Sequence, residues 1–169
     1  DKPLRGSTEI NLRIPALLPD TYLPDVHGRL MVYKRLAGVG SEAELQELKV
    51  ELIDRFGLLP LPAQNLLTIT RLRLAAEKLG ISKIEASAQG GKFKFTTDTR
   101  VDPLTLVRLV QTDSKHFGFG GPDELKFRLD LHDVNQRIAL VEGMLAKLAQ
   151  SPAPSSPRPA SQKQPQGSR

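Results

Sequence analysis

The stretch ISKIEASAQGGKFKFTT, residues 81–97, decides the fold class. Ile81–Ser87 and Lys92–Thr97 both read as strands, and Gly90-Gly91 reads as the hairpin turn between them. In the second run Phe93 and Phe95 alternate with Lys92 and Lys94. That is the period of two expected of a strand with one face buried and one wet. Strands joined by so short a turn run antiparallel, and the phenylalanine face then needs a cover.

Working outward, both flanks supply strands and helices. Downstream, Asp102-Pro103 opens a helix that runs to about Gln111. A second hairpin follows: Lys115–Phe119, a turn at Gly120-Gly121-Pro122, then Glu124–Leu129. The last helix carries Val134, Ile138, Val141, Leu145 and Leu148 at spacings of three and four, an apolar seam for packing. Upstream, Pro60 and Pro62 introduce a helix over 63–79 closed by Gly80. Before it, Ser41 and Glu44 form an S-x-x-E capping box for a helix with Leu45, Leu48, Leu52 and Phe56 on one side and Gly57 at its end. Asp25 caps an earlier helix whose expected buried face is Val26, Leu30, Tyr33 and Ala37. Glu9–Ile14 alternates polar and apolar residues as a strand does. The expected fold is therefore α+β: a small, mostly antiparallel sheet with several helices packed on it.

Residues 1–150 read as one domain, long enough for a single core without disulfides or metals. Residues 151–169 hold five of the 13 prolines and almost nothing apolar, so they read as a disordered basic tail. The net charge of +5 belongs largely to that tail. It carries three of the 24 basic residues and none of the 19 acids. The Pro154–Pro157 P-x-x-P spacing is the kind that arises freely in such a tail. A chain opening on Asp1 reads as a piece of something longer.

The sequence offers little to run a reaction. It has no cysteine, which removes thiol catalysis and thiolate metal sites and suits a reducing cytoplasm. His27, His116 and His132 fall in no metal-binding spacing, and no phosphate loop or nucleophile elbow is present. Gly38-Val39-Gly40 lies between helices, where a dinucleotide loop would follow a strand. No cofactor or metal is expected. No apolar run approaches the roughly 20 residues needed to span a bilayer, so no membrane partner is expected either.

One surface stands out. Glu44, Glu47, Glu51 and Asp54 follow one another at three, four and three residues, which lines them up on one helix face away from the leucines. Arg55 lies beside them, four residues from Glu51. A solvated helix face is the plain reading of such a stripe. Asp54 argues for more, because it occupies the last turn, where the helix dipole disfavours a carboxylate by some tenths of a kcal/mol.

The run KVELIDRFGLLP, residues 49–60, with Tyr33-Lys34-Arg35 and Glu44-Leu45 before it, resembles the C-terminal domain of the bacterial transcription-repair coupling factors. Ile14-Pro15, Leu18-Pro19-Asp20, Pro24-Asp25-Val26, Lys78-Leu79-Gly80-Ile81, Gly121-Pro122 and Leu125-Lys126-Phe127 extend the likeness from about Glu9 to Leu148. The resemblance implies a non-catalytic part of a DNA translocase that removes stalled RNA polymerase and recruits excision repair. In that family the ATPase motor and the polymerase-binding module lie upstream. An N-terminal UvrB-like module carries the site that recruits UvrA, and the C-terminal domain packs on that module and hides the site. Glu51, Asp54 and Arg55 sit in the motif that matches this inter-domain contact, and Glu47 belongs to the same stripe. The expected partner is thus intramolecular, with UvrA, RNA polymerase and DNA reached only through the parent protein.

Two other readings have specific requirements. A nucleic-acid-binding module needs a basic face with stacking aromatics. Arg71 with Lys78, and Lys92 with Lys94 beside Phe93 and Phe95, are the residues that would supply it. An unrecognised small enzyme would have to rest on one of the three histidines.

Overall fold

A computed structural model describes residues 7–150; the tail expected to be disordered lies outside the described residues. In chain order the elements are β1 (Glu9–Asn11), α1 (Val26–Gly38), α2 (Glu42–Phe56), α3 (Leu61–Leu79), β2 (Ile81–Ser87), β3 (Gly90–Phe95), α4 (Pro103–Thr112), β4 (Phe117–Gly121), β5 (Glu124–Arg128) and α5 (Val134–Ala149). The strands form one sheet in the order β1-β2-β3-β5-β4. All its pairs are antiparallel except β1 with β2, which is parallel. The α+β expectation holds.

The sheet buries one face only. Ile84, Phe93, Leu125 and Phe127 point inward, while Lys83, Glu85, Lys92, Lys126 and Arg128 line the other side. Helices α3, α4 and α5 cover the inner face and complete a core around Leu72, Ala76, Val141, Leu145 and Leu148. A second buried cluster joins α1, α2 and the start of α3 through Leu36, Leu48, Leu52, Ala63 and Leu67. The core is thus in two parts, and α3 contributes residues to both.

The hairpin of 81–97 exists, but its turn is Ala88-Gln89 and not Gly90-Gly91. The glycines belong to β3 because the sheet leaves no room there. A Cβ at Gly91 would run into the backbone of Glu85 and lie 2.8 Å from Ala86 Cα. Gly80 is where the sequence places it, closing α3 in the left-handed region at φ 74. The second hairpin turns through Pro122-Asp123, one residue beyond the expected centre.

Helix α1 is rotated from expectation. Its buried residues are Val32 and Leu36, whereas Val26 and Leu30 are 59% and 61% exposed. The preceding loop sets this rotation. Leu18 and Leu23 fill the cluster below, Leu18 N–H donates to the Tyr33 hydroxyl, and Arg29 donates to the Leu23 and Pro24 carbonyls. These contacts pin the Tyr33 side of the helix and turn Val26 and Leu30 outward. The proline-rich loop is itself anchored to α3 by Leu17 N–H on Pro62 O and by Asn65 Nδ2 on Pro15 O.

Candidate interaction surface on helix α2

Both ends of α2 are closed by side chains. The Ser41 hydroxyl accepts from Glu44 N–H at 3.1 Å, and the Glu44 carboxylate accepts from Gly40 N–H at 2.7 Å. The capping box therefore reaches one residue further back than the sequence suggests, and Glu44 serves the helix start. At the other end Gly57 donates to Ile53 O, and the Tyr22 hydroxyl donates to the Gly57 and Leu52 carbonyls. Leu45, Leu48 and Leu52 are buried as expected, with Phe56 at the margin in an edge-to-face contact with Tyr22.

The four partner-binding residues read from sequence divide into two groups. Glu51 is held inside the domain. Arg35 of α1 grips its carboxylate with both guanidinium nitrogens, at 2.9 and 3.0 Å, and Arg55 reaches it at 3.5 Å. The Arg35 hydrogen bonds hold the Glu51 carboxyl below its usual range, and the nearby Arg55 charge adds to this. A depressed carboxyl pKa means that the pair is fully present above the ordinary Glu range and is lost only as pH falls through the lowered value. Arg55 also lies 5.0 Å from the Phe56 ring centre, so its head sits between a carboxylate and an aromatic face.

Glu47 and Asp54 are different. Both are exposed and form no ion pair among the described residues. Val50 lies between them, three residues after one and four before the other, and is 56% exposed. Leu58, just past the helix, is 84% exposed. Periodicity identifies the carboxylates but not these apolar residues, since a lone exposed valine or leucine carries no signal of its own. Arg35 also went unassigned, because its pairing depends on how α1 crosses α2. The exposed face of α2 thus carries Glu47, Val50 and Asp54, with the Arg35–Glu51–Arg55 group at its side.

Most residues of the other two readings are occupied; Lys78, Lys94 and His27 form no ion pair among the described residues. Phe93 and Phe95 are buried in the core, Arg71 pairs with Glu142, and Lys92 pairs with Glu124. His116 and His132 bond the neighbouring Asp113 and Asp130. Among the described residues no group of three or more His, Cys, Asp or Glu gathers as a metal site, and no helix is long and apolar enough to cross a membrane.

The profile of the TRCF domain family matches residues 12–106, more than half of the chain and all of α1, α2 and α3. The chain belongs to the TRCF domain family. This TRCF domain is 48% identical over 144 residues to the transcription-repair-coupling factor of Escherichia coli (strain K12), a match covering 85% of this chain and 12% of that protein. It is 49% identical over 141 residues to the factor of Haemophilus influenzae, covering 83% of this chain and again 12% of the relative. Its fold is similar to the crystal structure of a C-terminal domain of transcription-repair coupling factor, with a TM-score of 0.65 and 25% identity. That match covers 85% of this chain and 95% of the other. The TRCF domain described here therefore spans about an eighth of the length of these two curated relatives.

Proposed function

We propose that this TRCF domain is a non-catalytic regulatory part of a cytoplasmic transcription-repair coupling factor whose motor lies elsewhere in the parent chain. Residues 1–150 act as one unit that packs on a UvrB-like N-terminal module and masks its UvrA-recruiting site. The observation that carries this reading is the exposed face of α2, where Glu47 and Asp54 stand without an ion pair around Val50, beside the Arg35–Glu51–Arg55 group. Glu47 and Asp54 have no internal ion pair among the described residues, which leaves two carboxylates free for cations on a partner, with the exposed Val50 between them.

Asp54 is the cleaner probe, since changing Glu51 also removes a bond within the domain. Asp54→Lys leaves the buried leucines untouched and suits the C-terminal end of the helix. At a contact surface the same change sets like charges together. Loss of one partner of a buried charge pair there costs about 2–5 kcal/mol, and reversal more. The full-length protein carrying Asp54→Lys should bind UvrA without a stalled polymerase, measured by pull-down and by titration. If the folded variant remains as closed to UvrA as the unaltered protein, Asp54 belongs to a solvated face and the masking role fails.

A further inference from the structure

Strand β4 ends the sheet and reads Phe-Gly-Phe-Gly-Gly; Phe117 is buried in the core, but the glycines need another account. Gly120 has only a soft local reason, since a Cβ there would meet Lys126 Cε at 2.6 Å, the flexible end of a side chain that can move aside. Gly118 and Gly121 have none. Neither sits at positive φ, and a Cβ on either would find no atom within 4 Å. A glycine in a strand weakens it and often marks the close approach of another backbone. Phe119, between them, is 50% exposed.

The hydrogen-bond register shows what the strand offers. Arg128 N–H donates to His116 O, and bonded pairs in an antiparallel ladder recur every second residue. Gly118 is thus bonded to Lys126, while the N–H and C=O of Phe119 point away from β5 to the free edge. Above the outer face of Gly118 and Gly91 lies a pocket of about 270 Å³ with Lys115, His116, Lys126 and Arg128 at its rim. Of the acids flanking the strand, Asp113 bonds His116 and Glu124 bonds Lys92; Asp123 lies in the turn at the far end. Phe119 lies on the inner-face side of the strand and is half exposed; Leu104 and Val107 of α4 are exposed in part.

We infer that β4 is an acceptor edge for an extended segment of a partner protein that alternates carboxylate and branched apolar side chains. The added strand pairs with the Phe119 amide group. Its alternation places one set of side chains over the cationic pocket and the other against Phe119. The charge selects this occupant. A second copy pairing β4 against β4 would bring no acidic side chain for Lys126 and Arg128. The bulge after Phe119, the following Pro122 and the Phe117 N–H already donated to Asp113 O confine pairing to Phe119.

The test uses the 169-residue chain and a ten-residue peptide alternating Glu with Val, followed by calorimetry and by hydrogen exchange at the Phe119 amide. Saturable binding is expected, with at least tenfold slower exchange of that amide. Lys126→Glu with Arg128→Glu should weaken binding at least tenfold. Phe119→Pro removes the outward donor and should do the same. Gly118→Glu is the second variant; it has free space in the fold, places a carboxylate in the pocket and should also weaken binding tenfold. Equal binding of a peptide alternating Lys with Val, binding unchanged in the folded Gly118→Glu chain, or self-association of the chain through β4 would each overturn the proposal. So would an oligonucleotide that occupies the pocket while the acidic peptide does not.

Discussion

Glu51 and Asp54 stand one helical turn apart, yet only one has its charge answered within the domain. Arg35 meets Glu51 with a planar fork, a geometry that a lysine at that position would not reproduce. Arg137 shows the same chemistry turned to a different end. It interrupts the apolar seam of α5 and is buried without a carboxylate partner among the described residues. Its guanidinium instead donates to the carbonyls of Leu131 and Leu12, both at 3.0 Å, and more distantly to those of Arg13 and His132. These bonds tie α5 to the chain leaving β1, where Arg13 takes a positive φ of 58. Arg137→Met keeps the volume but strands two buried carbonyls. Each orphaned acceptor costs about 1–3 kcal/mol, so urea denaturation should show a loss of that order, offset in part by removal of a buried charge. Arg137→Lys should not rescue it, since one ammonium cannot span carbonyls on two elements. A variant as stable as the unaltered chain would mean that water satisfies those carbonyls equally well.

At the scale of elements, much was legible because local signals and packing agree. Asp25, Ser41, Asp102 and Gly80 mark helix ends, and each side chain or backbone plays the part its residue type implies. The seam of α5 and the leucine face of α2 are buried for the same reason. Two misreadings have tertiary causes. Helix α1 has two apolar stripes, and the Pro15–Pro24 loop selects Val32 and Leu36 over Val26 and Leu30. Gly90-Gly91 carries a strong turn signature, but the approach of β2 and β5 requires glycine inside the strand. On the α2 surface the carboxylates were legible from spacing, whereas Arg35, Val50 and Leu58 depend on how helices cross. The glycine argument predicts opposite outcomes at two positions that look alike in sequence. Gly91→Ala forces backbone apart and should cost roughly 1–3 kcal/mol or more. Gly118→Ala enters open space at an ordinary φ and should be neutral or stabilising by up to about 1 kcal/mol. Thermal melts of the two variants check this; equal destabilisation would contradict it.

Across the whole molecule, α3 decides whether two buried clusters behave as one body. It sends Leu72 and Ala76 into the sheet cluster and Ala63, Leu67 and Leu74 into the helical one. Polar bonds reinforce the join. Arg73 donates to Leu36 O at the end of α1 and to Glu77, and Glu77 in turn accepts from Thr8 N–H beside β1. A change in the helical cluster therefore propagates along a helix whose other face packs into the sheet core through Leu72 and Ala76. A surface on α2 that is to resist a partner's pull needs this coupling, since a cluster that opened alone would release the contact without the sheet. Leu48→Ala tests it. Leu48 is fully buried at the centre of α2, far from β3 and β5 in sequence, and its truncation should cost about 2–5 kcal/mol. If the chain unfolds as one unit, the most protected sheet amides of Ile84, Phe93 and Leu125 should lose protection by the same free energy as the helical amides. Hydrogen exchange followed by NMR reads both at once. Sheet protection that stays at its original level while α2 loses its own would show that the helical cluster opens alone, and that α3 does not transmit its stability to the sheet.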